Sequence, residues 1–522
     1  MSAPVPVPQR AGARQWAALA ALTVPVLLMS IDLTVLAVAI PELSEDLAPT
    51  GTQLLWIVDI YGFFLAALLV LMGNIGDRIG RRRLLLIGAV AFGAASMLAA
   101  FAWSPEVLIA ARALLGIGGA TLMPSTLALI RNIFTDPAQR RRAVSVWVAA
   151  FAGGAGLGPV VGGFLLEHFW WGSVFLINVP VMIALLIAAP PLVPEFRNPA
   201  PGRFDLLSAG LLMAAMLTGV YGLKDAAEHG WGITPALWVT ASLALAVVFV
   251  LRQRRLSDPL IDIALFRSLP FSTAVIANVA GVFALTALLY YLPQYLQLVL
   301  GHSPLTAGLW ALPIAAGAIL GSLIAATLAR VIGAGWLIGG GLILAAGGYL
   351  TLTALGLDGI AWIAFTGGAL VGAGIGIADT LSNDVIVGTA PPEKAGAAAG
   401  ISETAYELGG ALGTATLGAL GTSIYRTQVT DALPADTPPD IADAVTETLG
   451  AAVATAQQLP EDRAAMLLDL VRPAFTDAMT TAFTTAAIVL ATIGTLAATA
   501  LARHHTPTTG TEAPDEATRS DL

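Results

Sequence analysis

The chain has 522 residues, of which 57% are hydrophobic and only 11% are charged, and its formal net charge at pH 7 is −9. Soluble globular proteins carry roughly 25% charged residues, so this composition excludes a soluble enzyme and a nucleic-acid-binding protein. The apolar runs are long and unbroken, which excludes a membrane β-barrel, because barrel strands are alternating segments of about ten residues. The composition therefore indicates a helical protein whose main solvent is the lipid bilayer.

Fourteen apolar runs follow one another along the chain, each long enough for a membrane-spanning helix, which needs about 20 residues. They are 15–40, 52–72, 84–103, 106–130, 143–166, 171–192, 204–223, 233–251, 271–298, 304–329, 335–355, 359–389, 395–425 and 477–502. The first run is too long for a signal peptide, so we interpret it as a retained span.

The positions of the basic residues predict the orientation of these spans. Most of the 25 lysines and arginines fall in loops on the side of the N-terminus, and such loops face the cytoplasm. We therefore expect a multi-pass protein of the cytoplasmic (plasma) membrane with both termini inside. Lys224 is one of the few basic residues that this scheme assigns to an outer loop.

The spacing of the runs predicts three parts. Residues 1–195 form a six-helix bundle, 196–268 a two-helix insert with cytoplasmic linkers, and 269–522 a second six-helix bundle. The second bundle carries an acidic outer stretch at 427–476 and a disordered cytoplasmic tail at 504–522. Because 206–223 and 233–251 contain no Asp, Glu, His, Lys or Arg, we expect the insert to pack peripherally and to hold no cargo.

The residue types also limit the chemistry. The chain has no cysteine, and its histidines lack metal-ligand spacing, so we expect no metal and no cofactor. No Gly-rich phosphate loop precedes a lysine, so the chain is not expected to use ATP.

Three glycine-rich segments carry a resemblance to a known family. Residues 73–83 read GNIGDRIGRRR, Arg112 precedes a GIGGA segment at 116–120, and residues 154–163 read GAGLGPVVGG. They resemble the cytoplasmic signature, the embedded-arginine motif and the antiporter motif of the major facilitator superfamily.

Four further segments narrow the resemblance. Residues 32–41 (DLTVLAVAIP), 54–61 (LLWIVDIY), 166–180 (LEHFWWGSVFLINVP) and 403–409 (ETAYELG) are similar to the fourteen-helix drug:proton antiporter family, in its QacA/SmvA/LfrA-like branch. The resemblance implies an all-α integral membrane fold, with two six-helix bundles plus two inserted helices. It also implies multidrug efflux and resistance to antibiotics and antiseptics. QacA-type sequences commonly place paired acids at the start of the motif that includes 403–409. In this chain the first position of that motif is Ser402.

Three charged residues lie inside predicted spans at a similar depth. At 1.5 Å per residue, Asp32, Asp59 and Arg112 lie roughly 13, 10 and 9 Å below the outer ends of their helices. An ionisable residue in a span is a functional-site hypothesis because its insertion is costly. Arg112 can pair with either carboxylate, and the remaining acid favours cationic cargo.

Glu403 and Glu407 lie on one face of the thirteenth predicted span. Because two neighbouring acids repel when both are ionised, this pair suits proton carriage. We assign proton coupling to Glu407, Glu403, Asp32 and Arg112. Cargo binding is assigned to Asp32, Asp59, Glu407 and the aromatic rings of Trp56 and Tyr406, which can face a cation.

The remaining motif residues are assigned to movement and packing. Asp77, Arg78 and Arg81 are expected to form a conformational latch, whereas Arg82 and Arg83 are interpreted as membrane anchors. The antiporter motif consists of small residues that allow close helix packing and a proline that bends the helix. These residues are Gly154, Gly158, Pro159, Gly162 and Gly163.

The sequence thus favours a proton-coupled antiporter that exports lipophilic cationic drugs, dyes and quaternary ammonium compounds by alternating access. Its partners would be these small molecules, protons and the lipid bilayer, without nucleic acid or ATP, and we expect a monomer. The alternative is a dedicated exporter of one endogenous metabolite or antibiotic with the same fold. A channel or a membrane sensor is a more remote possibility, and no enzyme activity is expected.

Overall fold

The computed structural model describes residues 11–197, 205–229, 232–256, 259, 261–329, 331–389, 395–434 and 437–502. Helices dominate these residues, and no strand occurs among them. The all-α architecture predicted from the apolar runs is therefore confirmed.

Nineteen α-helices occur in the described part of the chain. They are α1 (Ala13–Leu47), α2 (Gly51–Ile79), α3 (Arg81–Ala100), α4 (Pro105–Ile133), α5 (Pro137–His168), α6 (Ser173–Leu176), α7 (Asn178–Leu192), α8 (Leu206–His229), α9 (Ile233–Gln253), α10 (Leu269–Gln294), α11 (Pro304–Leu309), α12 (Leu312–Leu328), α13 (Ala334–Leu352), α14 (Ala361–Thr389), α15 (Ala395–Gly413), α16 (Ala419–Ala432), α17 (Pro439–Glu447), α18 (Leu449–Gln457) and α19 (Glu461–Ala502). A 3₁₀ turn (Ile263–Arg267) and two π-helical turns (Tyr295–Val299 and Thr414–Gly418) complete them.

Thirteen helical segments of the described chain are long and apolar enough to cross a membrane. The remaining predicted span, 395–425, falls on α15, the π turn Thr414–Gly418 and α16, which follow one another without a break. The count of fourteen spans stays a prediction.

Short polar side chains mark where several helices begin. Thr50, Ser104 and Ser303 accept hydrogen bonds from backbone amides three residues ahead, at the starts of α2, α4 and α11, and Asp136 does the same for α5. Such caps satisfy amides that lack a partner in the first helical turn.

We call the end of the molecule at which α1 begins the proximal end, and the opposite end the distal end.

In the first half, α1 contacts α5, α7 and α4, and α3 packs against α4 and α7. In the second half, α14 packs against α12 and α13, while α10 contacts α15 and α19. The two halves meet through α2 against α15, α5 against α11, and α1 against α10. Among the charged residues of α1, α2 and α4, Asp32, Asp59 and Arg112 are buried in this interior.

The two helices of the insert behave differently. Helix α9 packs on α8 and buries few of its residues, as expected for a peripheral helix. Helix α8, however, also contacts α2 from the first half and α16 from the second. The expectation that the whole insert is peripheral is therefore wrong for α8, which continues past residue 223 to His229 and brings a polar residue into the interior.

The acidic stretch after α16 folds back over the distal end. Helices α17 and α18 pack on each other, and they contact α16, α19 and α1. The Glu447 carboxylate accepts a hydrogen bond from the Gly51 amide at 3.1 Å and pairs with Arg426 at 2.8 Å. This stretch thus connects the distal end of α2 to α16.

Candidate functional site

Arg112 and Asp32 form a buried ion pair between α4 and α1. Arg112 Nη1 lies 2.9 Å from Asp32 Oδ2, and both side chains are almost fully buried. The same guanidinium donates from Nε to the Ile57 carbonyl at 3.1 Å and from Nη2 to the Val58 carbonyl at 3.4 Å. Of the two pairs that the sequence allows for Arg112, the structure therefore forms the one with Asp32.

Asn178 completes the surroundings of the Asp32 carboxylate. Its Nδ2 donates to Asp32 Oδ1 at 3.1 Å and lies 3.3 Å from Ser96 Oγ. The Tyr61 ring centre lies 4.7 Å from Arg112 Cζ. Sequence reasoning assigned no role to Asn178, although an amide in a strongly apolar run is a usable signal.

Asp59 pairs with Lys224. Lys224 Nζ lies 2.8 Å from Asp59 Oδ2, with 0% and 2% of the two side chains exposed. The same ammonium lies 4.3 Å from the centre of the Trp56 ring. The placement of Lys224 in an outer loop is therefore wrong, and Asp59 is not an excess carboxylate. Helix α8 is longer than the apolar run that predicted it, so its last turns bury the lysine.

The second half of the chain also reaches Asp59. Thr414, the first residue of the π turn Thr414–Gly418, lies beside the Asp59 carboxylate, and its hydroxyl donates to the Gly410 carbonyl at 3.2 Å. π-Helical turns are frequent at functional sites. Asp59 thus lies where α2, α8 and the π turn meet.

Glu407 lies at the contact between α15 and α2. A Cβ atom placed on Gly62 would lie 2.6 Å from Glu407 Oε2, so the missing side chain leaves room for this carboxylate. Tyr406, the adjacent residue, is partly buried. Glu403 belongs to the same helix, but its side chain lies outside the described residues, so the shared face of the two acids stays a prediction.

A second polar cluster joins α10, α14 and α15. Asp379 Oδ1 accepts from Asn278 Nδ2 at 2.9 Å and from Asn383 Nδ2 at 3.1 Å. Ser402 donates to the Asn383 side-chain oxygen. Sequence reasoning did not connect these residues, because they come from three separate spans.

The glycines of the antiporter motif lie where α5 approaches other helices. Cβ atoms on Gly154, Gly158 and Gly162 would meet α1 at distances of 2.4, 2.0 and 2.6 Å. Gly163 faces α11 in the second half, where a Cβ would lie 2.6 Å from the Pro304 carbonyl. The Pro159 carbonyl occupies the space beside Gly308 of α11 in the same way.

The predicted latch residues lie at the proximal end of α2. Arg81 Nη2 lies 2.7 Å from Asp77 Oδ1, while Arg81 Nη1 reaches the Pro124 carbonyl of α4 at 3.5 Å. Arg78 is the penultimate residue of α2. Gly80 between these residues has a φ of 112°, a conformation that favours glycine.

Arg82 and Arg83 do more than anchor the chain. Their backbone amides donate to the two Glu195 carboxylate oxygens at 3.0 and 3.1 Å. Arg82 Nη1 also donates to the Val193 carbonyl at 3.0 Å. The start of α3 is therefore tied to the segment that follows α7.

The comparisons with known proteins agree with this architecture. The family model of the Major Facilitator Superfamily matches residues 23–414. The chain is 46% identical to the multidrug efflux pump LfrA of Mycolicibacterium smegmatis, over 93% of this chain and 96% of that protein. It is 37% identical to the methyl viologen resistance protein SmvA of Salmonella typhimurium, over 88% and 93% of the two chains. It is 33% identical to a tetracenomycin C resistance and export protein of Streptomyces glaucescens, over 91% and 90%.

Solved structures show the same fold at low sequence identity. A bacterial homologue of the human lysosomal transporter Spinster, in an inward-facing and unoccupied conformation, matches with a TM-score of 0.68 and 16% identity over 96% of this chain and all of that one. The peptide transporter POT matches with a TM-score of 0.63 and 15% identity, over 95% of this chain and 96% of that one. The chain therefore belongs to the major facilitator superfamily, among its multidrug efflux and resistance transporters, and is a multi-pass membrane protein rather than an enzyme.

Proposed function

We propose that this transporter exports lipophilic cationic drugs, dyes and quaternary ammonium compounds in exchange for protons. The observation that carries the proposal is the position of Glu407, whose carboxylate from the second half lies against Gly62 in the first. The printed names of the relatives, a multidrug efflux pump and a methyl viologen resistance protein, support cationic drugs as cargo.

The Glu407 carboxylate suits proton exchange because of where it lies. A carboxylate in an apolar interface is stable when it is protonated or when it is paired with a cation. Movement of α2 relative to α15 changes its surroundings, so one conformation favours the proton and the other favours release. Glu403 belongs to the same proton-coupling unit in this proposal.

Cargo and protons also compete for the Asp32 carboxylate, which is paired with Arg112. A cationic cargo competes with Arg112 for Asp32, and a proton on Asp32 weakens the pair in the same manner. Asn178 holds Asp32, and the two backbone carbonyls hold Arg112, while the cargo or a proton replaces Arg112 as the partner of Asp32. Binding of cargo and binding of a proton at this site are therefore mutually exclusive.

Alternating access follows if the two bundles, 1–195 and 269–522, rock against each other. We place the proximal end and both termini in the cytoplasm, because the arginine-rich loops lie there. Asp77, Arg78 and Arg81 then act as a cytoplasmic latch that rearranges during rocking. We assign the protein to the plasma membrane, as a monomer.

The proposal is tested by uptake of a fluorescent cationic dye into everted membrane vesicles that are given a proton gradient. Glu407→Gln should abolish uptake while dye binding to the purified protein stays measurable, because a glutamine cannot release a proton. Glu167→Gln, a change at an exposed acid near the end of α5, is the control and should transport normally. Proton-driven uptake that survives Glu407→Gln would remove Glu407 from the coupling step.

A dedicated exporter of one antibiotic or metabolite is the second candidate. It is favoured by the internal neutralisation of Asp32 by Arg112 and of Asp59 by Lys224, which leaves less negative charge for a broad range of cations. A relative named for tetracenomycin C export points the same way. A panel of cationic and neutral compounds in the vesicle assay separates the two, since a dedicated exporter transports one chemical class only.

A further inference from the structure

We propose that Lys224 is a tethered cation that occupies a cation-binding subsite made by Asp59, Trp56 and Thr414, and that the cationic group of a cargo molecule displaces it. The subsite takes a monovalent quaternary ammonium or phosphonium group. This inference rests on the proposed export of lipophilic cations and specifies where such a cation is received.

The arrangement around Lys224 Nζ is that of a bound cationic ligand. The ammonium lies 2.8 Å from a carboxylate oxygen and 4.3 Å from the centre of a tryptophan ring. A carboxylate combined with an aromatic face is how proteins bind quaternary ammonium groups, and tryptophan gives the strongest such contact. If the lysine side chain leaves, Asp59 and Trp56 present the same features to another cation.

Lys224 is held by fewer groups than Arg112. Arg112 is fixed by Asp32 and by the carbonyls of Ile57 and Val58. The described polar contact of Lys224 is with Asp59 alone, although an ammonium has three N–H groups to donate. The lysine is therefore the cation that a ligand can replace at lower cost.

A displaced lysine has polar surroundings to enter. A crevice beside Lys224 lies between α2 and α16, and the hydroxyl groups in its lining can accept hydrogen bonds from an ammonium. It is lined by Thr52, Leu55, Lys224, Ala419, Thr422, Ser423 and Arg426. The flexible four-carbon stem of lysine allows its head to move while the stem stays in apolar contact.

The location of the subsite gives the insert a role in cargo recognition. Asp59 belongs to α2, Thr414 to the π turn of the second half, and Lys224 to α8 of the insert. A cation that replaces Lys224 breaks the described ion pair of α8 with the first half. A neutral molecule does not compete for Asp59, so the subsite discriminates by charge.

The unmodified protein allows a direct test, because the chain has only two lysines, Lys224 and Lys394. The purified transporter is treated with an amine-acylating reagent with or without tetraphenylphosphonium, and acylation of each lysine is followed by peptide mass spectrometry. Saturating tetraphenylphosphonium should raise the acylation rate of Lys224 at least about fivefold, because it shifts the population toward the displaced lysine. Lys394 is the internal reference and should not change, and neutral triphenylphosphine oxide should have no effect.

Binding of tetraphenylphosphonium is measured in the same sample by calorimetry. Absence of binding contradicts the proposed function. Binding without faster acylation of Lys224 overturns the present inference and leaves the proposed function intact. Slower acylation overturns it as well, because the cation would then cover the lysine rather than displace it.

Variants at Lys224 and Asp59 test whether the lysine and tetraphenylphosphonium compete for the same subsite. Lys224→Met should tighten tetraphenylphosphonium binding about tenfold, since the competing cation is gone. Lys224→Arg should not tighten it. The double variant Lys224→Met/Asp59→Asn has no unpaired buried charge, so it should fold even if the single variant does not, and it should bind the cation more weakly than the wild type. Affinity of Lys224→Met or of the double variant equal to that of the wild type overturns the inference.

Discussion

At the scale of single residues, the centre of the molecule is organised by two ion pairs whose cations are held differently. Arg112 contacts Asp32 and two backbone carbonyls, whereas Lys224 contacts Asp59 and the face of Trp56. A planar guanidinium offers five donors in a rigid fork, whereas an ammonium is a compact charge with three donors on a flexible stem. The first pair is therefore built to keep its geometry, and the second to exchange its partner.

This difference predicts that Arg112→Lys is not conservative. A lysine keeps the charge but cannot bridge Asp32, Ile57 and Val58 together, so we expect dye transport to fall by at least about tenfold. The measurement is dye uptake into everted vesicles, normalised to the amount of protein in the membrane. Arg142→Lys, at an exposed position of α5, is the control; equal activity of the two variants would contradict the prediction.

Asn178 gives a second prediction at this scale. Asn178→Leu removes the donor to Asp32 and to Ser96, and hydrogen bonds to a charged group contribute about 1.5–3 kcal/mol. The purified variant should unfold at a lower temperature, which is measured by differential scanning fluorimetry in detergent. Asn132→Leu, at an exposed position of α4, should not change the unfolding temperature. If Asn178→Leu also melts like the wild type, Asn178 does not support the Asp32 carboxylate.

These residues show what the sequence can and cannot predict about the site. Asp32, Asp59 and Arg112 were identified because ionisable residues in apolar runs are costly and therefore conspicuous. Lys224 was missed because it follows the last apolar residue of its run, and a hydropathy window assigns such a residue to the loop. Its burial depends on how far α8 continues and on the carboxylate that α2 offers, and neither is visible from local composition.

At the scale of elements, the packing of α5 is decided by missing side chains. Gly154, Gly158 and Gly162 recur every four residues, so they form one stripe that faces α1. Small residues at such a stripe let helix backbones approach closely in a membrane. The role of the motif in close packing was predictable from its composition, but its partners, α1 on one side and α11 on the other, were not.

Two adjacent glycines of α5 allow a controlled test of this packing. A Cβ on Gly154 would lie 2.4 Å from the Leu27 carbonyl, whereas a Cβ on Gly153 would have no atom within 4 Å. Gly154→Ala should therefore destabilise the purified protein by roughly 1–3 kcal/mol, the usual cost of overpacking. Gly153→Ala should leave the thermal unfolding temperature unchanged or raised, and a larger loss in Gly153→Ala than in Gly154→Ala would contradict the model of α1–α5 packing.

At the scale of the whole molecule, the described contacts between the halves include a close approach of α5 to α12. A Cβ on Gly156 would lie 3.2 Å from the Ala315 Cβ, near the spacing of about 3.5–4.5 Å in disulfides. Gln297 Nε2 also donates to the Val38 carbonyl at 3.0 Å, between α1 and the π turn Tyr295–Val299. These contacts should change when the bundles rock.

A disulfide across this contact should stop transport. The chain contains no cysteine, so Gly156→Cys/Ala315→Cys introduces the only pair, and we expect it to cross-link on oxidation. Dye transport should then be lost and should return after reduction. Gly153→Cys/Ala315→Cys is the control and should not cross-link. Full transport by the oxidised Gly156→Cys/Ala315→Cys protein would show that the halves do not separate here.

Exchange of a lipophilic cation for protons can be measured with the purified wild-type protein in liposomes that contain a pH-sensitive dye. A tetraphenylphosphonium gradient is imposed without a pH gradient, with the membrane potential clamped to zero. If the transporter exchanges the cation for protons, cation movement should drive protons in the opposite direction, and Glu407→Gln should abolish this proton movement. Cation transport by the wild-type protein with no change in internal pH would contradict it.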